Sequence, residues 1–183
     1  MSPRAILKIS ALILLVGGRA TSQDRDPEVV MLRELLGISP STIIEPSKSS
    51  PLPLVLRVYV AAGKNTKAQE SFVKQINQWN EKEAAEYGSI SIVQHVSEAN
   101  VILVQYELRL NKDLEGPPPI GMVPVRILSY LIVREPERIS VVWRRMAEGY
   151  RDPSRTLGIN SLRKELFGRI KSQANKDKRN TVR

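Results

Sequence analysis

A single histidine, His95, supplies all the imidazole in this chain, and there is no cysteine. Zinc sites that need two or more imidazoles, or thiolates, are therefore excluded. So are disulfides, a cysteine nucleophile and an acylated lipoprotein cysteine. His95 has Glu98, Ser91 and Ser97 close by in sequence, the residue types of a base, its orienter and a nucleophile. No G-x-S-x-G elbow accompanies them, and a surface histidine at a strand end accounts for the same residues. Glu81, Glu83 and Glu86 fall on or beside the solvent side of a helical pattern, where carboxylates solubilise. The enzymatic reading is thus a metal-independent hydrolase of unknown substrate, working in a cleft formed by 95–100 and 111–121 with Asp113 and Glu115. It stands as the alternative to a binding role.

Gly63-Lys64, between a strand pattern and a helix pattern, invites comparison with a phosphate-binding loop. That loop needs a glycine five residues earlier and a Ser or Thr after the lysine. Val58 and Asn65 occupy those positions. The residues fit a strand-to-helix turn instead, with Thr66 and Gln69 spaced as a capping box. No nucleotide, metal or other cofactor is expected from any motif in the chain.

Basic residues carry the strongest functional lead. The net charge is +9, and residues 134–183 hold 14 Lys/Arg against 6 Asp/Glu, whereas 21–133 hold 11 against 13. Arg144, Arg145, Arg151, Arg155, Arg163 and Lys164 flank the last strand and the last helix, with Trp143 and Tyr150 interleaved. Such an asymmetry marks a surface suited to an anionic partner, and a solvated face with a loose tail is the plainer account of it. Trp143 alternates with Val141 and Ile139, which assigns it to the core side of its strand.

The first residues narrow the choice of partner. Arg4 and Lys8 precede an apolar run, and Gly18-Arg19-Ala20 has small residues where a signal peptidase reads them. Residues 1–20 are therefore expected to be a signal peptide cleaved after Ala20, leaving an exported chain, periplasmic or secreted, with no transmembrane span. An uncleaved anchor is the other possibility, although Lys8 interrupts a run that should reach about 20 apolar residues to span a bilayer. Export argues against nucleic acid, and leaves a protein or an anionic envelope surface as the expected partner, met by a non-enzymatic module.

The elements that must position these residues follow from periodicity. After the leader, residues 21–53 read as a short helix capped by Asp26 and closed by Gly37, then a Pro/Ser-rich tether. Val29, Val30, Leu32, Leu35 and Leu36 give that helix a broad apolar face, which must dock on its own domain or on a partner protein. An α/β domain is expected over 54–175. It opens on a strand with Leu54, Leu56, Val58 and Val60 on one face, followed by a helix over 66–87 ended by a left-handed Gly88. Short strands follow near 89–94 and 101–110. An interior strand over 125–133, apolar on both faces, is then expected to form a hairpin with 139–144. A last helix over 161–174 buries Leu162, Leu166, Phe167 and Ile170, and 176–183 read as a disordered basic tail.

The expected architecture is one mixed sheet of about five strands in the order β-α-β-β-β-β-α, with helices packed on it, a parallel crossover first and an antiparallel meander later. The strand, Trp79 helix and strand that open the domain resemble the upper half of the secreted zinc peptidases of the matrixin type. No HExxH follows and the chain continues into a hairpin, so that chemistry is not carried over.

Overall fold

The computed structural model describes residues 26–47, 50–61, 66–110, 119–136, 138–151 and 160–181. Its elements are α1 (Pro27–Leu36), β1 (Ile43–Pro46), β2 (Leu56–Ala61), α2 (Thr66–Lys82), α3 (Ala84–Tyr87), β3 (Ile90–Ile92), β4 (Val101–Arg109), β5 (Val123–Arg134), β6 (Arg138–Arg151) and α4 (Asn160–Thr181). The six strands form one sheet in the order β1-β6-β5-β4-β2-β3. β2 pairs in parallel with both β3 and β4, as the strand-helix-strand reading requires. β4, β5 and β6 form the antiparallel meander, and β1 joins the β6 edge in parallel.

The sheet is covered on both faces by separate apolar clusters. Phe72, Ile76 and Trp79 of α2 and Leu162, Leu166 and Ile170 of α4 pack on Val58, Val101, Leu103 and Leu131. Leu32 and Leu36 of α1 pack on the opposite face against Ile44, Ile102, Tyr130, Ile132 and Ile139. β5 alternates between the two clusters, which is why both of its faces read as apolar. Pro124 lies one residue inside β5, near its start, where a missing N–H is best tolerated.

Helix α1 ends as its sequence dictates. The Asp26 side chain accepts from the Glu28 amide at 2.9 Å, and Gly37 at φ +58° closes the last turn by donating to Arg33 and Glu34 carbonyls. The helix docks on its own domain.

Two side-chain amides extend the backbone pairing. Asn80 of α2 donates to the Ile90 carbonyl and accepts from the Ile90 amide, both at 2.8 Å, which fixes the edge strand β3 to the helix. Gln173 of α4 does the same for Leu52, with both bonds at 2.9 Å.

Several expectations are corrected. The segment read as a tether contains β1, because Ile44 is apolar enough to be buried under α1 and Pro46 sits at a strand end on the sheet edge. Leu54 is 92% exposed, and the strand begins only at Leu56. Asn100 holds the start of that strand: its side chain donates to the Val55 carbonyl at 2.6 Å and accepts from the Arg57 amide at 2.9 Å. The long helix breaks after Lys82 into α2 and α3, and Gly88 adopts φ +90°, ψ 153°, which is not the left-handed cap. α4 runs on to Thr181 through residues assigned to a disordered tail. Lys and Arg are strong helix formers, and Lys178 pairs with Glu86 across to α3 at 3.1 Å.

Candidate functional site

The hairpin β5–β6 decides where the basic residues point. Leu131 lies opposite Trp143 while the next residue, Ile132, lies opposite Val141, so β6 carries one extra residue, Val142, at a β-bulge. Ile139 and Val141 face the α1 side, but Val142 and Trp143 both join the α2–α4 cluster. A strict two-residue period cannot register that step, and Trp143 therefore parts from Ile139 and Val141.

Beyond the bulge the arginines separate onto opposite faces. Arg144 faces α1 and pairs with Glu28, whose other oxygen accepts from the Tyr130 hydroxyl at 2.9 Å. Arg151 is half-buried and pairs with Glu107 of β4. Arg145, one residue from Arg144, faces α4 and donates to the Ser161 hydroxyl at 2.8 Å. Arg163 is half-buried on α4, and Arg155 lies outside the described residues.

Arg145 and Lys164 meet in a cleft of about 310 Å³ between β6 and the start of α4, lined also by Trp143, Asn160, Ser161 and Glu165. Glu165 accepts from Arg169 Nε at 2.7 Å, and Arg169 also donates to the Val142 carbonyl at 2.9 Å. The one carboxylate among the described lining residues is thus matched by an arginine on its own helix. Among the described residues, Lys164 has no carboxylate partner, so the cleft presents two positive groups, a hydroxyl, an amide and an indole. This combination recognises anions. Its volume is at the lower end of the range for small-ligand sites.

The sequence pointed to Arg145 and Lys164 and assigned Trp143 to the core, but gave no sign of the part played by Asn160, Ser161 and Glu165. Their helical spacing placed them at the start of α4, but only the bulged register shows which strand residues they meet. A wider hollow of about 520 Å³ runs along α2 over Gln69, Glu70, Val73, Lys74 and Asn77. Among its described lining residues, one glutamate is matched by one lysine.

His95 is exposed and precedes the 3-10 turn Val96–Glu98 without a side-chain cap bond. Asp113 and Glu115 lie outside the described residues, as does Gly63-Lys64. Among the described residues, no three His, Asp or Glu side chains gather where they could hold a metal ion, and no helix is long and apolar enough to cross a membrane.

Burial, reinforced by the hydrogen bond to Glu28, pushes the Tyr130 phenol above its ordinary value. Tyr87, on the opposite face, is raised by its hydrogen bond to Glu86, while that bond and the one from Lys178 hold the Glu86 carboxyl down. Both shifts arise in the contact between α3 and α4, away from the cleft. Comparison of the chain with protein-family models, curated proteins and solved structures finds no match.

Proposed function

We propose that the protein is an exported, non-enzymatic α/β module that binds an anionic component of the cell envelope through the cleft between β6 and α4. The observation that carries this reading is the convergence of Arg145 and Lys164 on one concave site, beside Trp143 and Ser161. The apolar N-terminal run with its small-residue cleavage signal supports export. The excess of basic over acidic residues across 134–183 supports an anionic partner, because it attracts such a surface to this part of the chain.

Geometry also ranks the basic residues. Arg144 and Arg151 are already matched by Glu28 and Glu107, so they add little attraction for a ligand. Arg145 and Lys164 supply the specific part of the site, and the exposed Lys176 and Arg179 of α4 add a diffuse field.

The test is retention on anionic-lipid vesicles and, separately, on an acidic wall polymer, at low and moderate salt. Each Lys/Arg near an anionic surface contributes about 1 kcal/mol. Reversing Arg145 and Lys164 to Glu should therefore weaken binding by at least about tenfold. Reversal of exposed Lys74 on α2 should change it little. Equal retention of the double variant and the parent on both supports would refute the reading.

A further inference from the structure

β6 is longer than the strand that covers its outer edge. β1 pairs only with Arg138, Ile139, Ser140 and Val141, and the amide of Ser47 makes the last bond of that ladder to the Val141 carbonyl at 3.1 Å. Among the described residues, no strand lies along the outer edge of β6 from Val142 to its end at Arg151. Five consecutive residues there, Arg144, Arg145, Met146, Ala147 and Glu148, are all exposed, with Met146 at 51%. Arg144 reaches Glu28 on one face and Arg145 reaches Ser161 on the other, but Met146, Ala147 and Glu148 after them are exposed in succession, where a strand covered on one face would bury every second side chain. An edge of this length is a template for another strand.

Charge on such an edge normally guards against pairing. Here it selects one register of self-pairing. Two identical strands related by a twofold axis run antiparallel with one residue opposite itself. If Arg145 or Glu148 occupies the axis, like charges face each other. If Ala147 occupies it, Met146 faces Glu148 and the arginines gain nothing. If Met146 occupies it, Arg144 lies opposite the second copy's Glu148 on the α1 face, twice over, and the two Met146 side chains meet between them.

Coverage by β1 leads to the same centre. The first residue free of β1 is Val142, and in this register it faces Tyr150, so the window over 142–150 has Met146 at its midpoint. The intramolecular pairs Glu28–Arg144 and Arg126–Glu148 lie on this same face. They would join into a chain of alternating sign, Glu28, Arg144, then the second copy's Glu148 and Arg126. The helices leave room for the contact. α4 packs chiefly over β5 and reaches β6 through the Arg145–Ser161 and Arg169–Val142 bonds, and the two β5 strands would lie three strand spacings apart, roughly 14 Å at about 4.8 Å each. Packed helices need about 8–10 Å.

We infer that the open edge of β6 pairs with a second copy of this chain, antiparallel and centred on Met146, to give a continuous twelve-stranded sheet in a twofold dimer. This does not depend on what the cleft binds.

The experiment is sedimentation of the purified protein over about 1–100 µM, the range in which a modest interface holds. A monomer–dimer equilibrium is expected. Met146→Lys, which sets two like charges on the axis, should raise the dissociation constant at least tenfold, about 1.4 kcal/mol, with thermal unfolding of the monomer unchanged. Because the chain has no cysteine, Met146→Cys gives a second readout. Mild oxidation should cross-link it to itself, and the exposed control Ser172→Cys should not cross-link. A monomer throughout the range, or a dimer that Met146→Lys leaves intact and Met146→Cys fails to cross-link, overturns the inference.

Discussion

Tyr130, buried in the middle of β5, donates its hydroxyl to Glu28 Oε2 at 2.9 Å, although the two residues stand 102 positions apart. Glu28 lies in the first turn of α1, and its other oxygen takes the Arg144 guanidinium. One carboxylate thus ties α1 to two strands of the sheet and fulfils the hydrogen-bonding need of a buried phenol. Arg144, one of the basic residues expected to meet a ligand, is instead part of the device that holds α1 down.

Tyr130→Phe should cost about 1 kcal/mol at neutral pH, read by denaturant unfolding, because a hydrogen bond is lost while the ring still fills its site. The pH dependence follows from the direction of the shift. The folded phenol keeps its proton at a pH where an unfolded tyrosine, near pH 10, loses it. This contribution is complete below about pH 10 and falls away as pH rises from there toward the folded value. The parent protein should therefore lose stability more steeply above pH 10 than the Phe variant does.

Asn100 makes a second long-range tie. Its side chain bonds Val55 and Arg57, its amide donates to the Arg57 carbonyl at 3.0 Å, and its carbonyl accepts from Arg134 at 2.9 Å. Asn100→Ala removes the two side-chain bonds and should destabilise the protein by about 1–2 kcal/mol. Asn100→Asp should be nearly as costly, because a carboxylate cannot donate to Val55. Hydrogen exchange at Arg57 should accelerate in the Ala variant, and less in the Asp variant, whose carboxylate still accepts from that amide.

Leu166 has no exposed surface and anchors α4 in the larger cluster. Leu166→Ala should cost about 2–5 kcal/mol, and the cleft, which uses the same helix, should weaken with it. Leu32→Ala, on the other face, should also destabilise, because it loosens α1, yet leave ligand binding by the folded fraction unchanged. That contrast separates the helix that builds the site from the one that does not.

Elements with strong periodicity or distinct end signals were legible in the sequence. α1 announced both of its caps, β5 its two apolar faces, and α4 its stripe of Leu162, Leu166 and Ile170. β1 was hidden because Ile43 and Ile44 are set among prolines and serines, and only their place beside β6 makes them a strand. The far half of β6 was hidden for the opposite reason. The stretch RRMAEGYR lacks alternation because much of it is uncovered, and it is extended because β5 pairs with it as far as Arg151. The site suffered most from the bulge at Val142. Strand alternation divides Arg144 from Arg145, and the extra residue reverses every later side chain, so that Arg145 rather than Arg144 faces α4 and meets Lys164.

The central claim is that Arg145 and Lys164 form one anion site, and amide chemical-shift mapping of the labelled protein during titration with an acidic wall polymer tests it most directly. The amides of Arg145, Ser161 and Lys164 should move together along a single saturating curve, which vanishes in the Arg145→Glu, Lys164→Glu variant. Shifts confined to Arg144 and Arg151, or scattered over every exposed lysine without saturation, would contradict it.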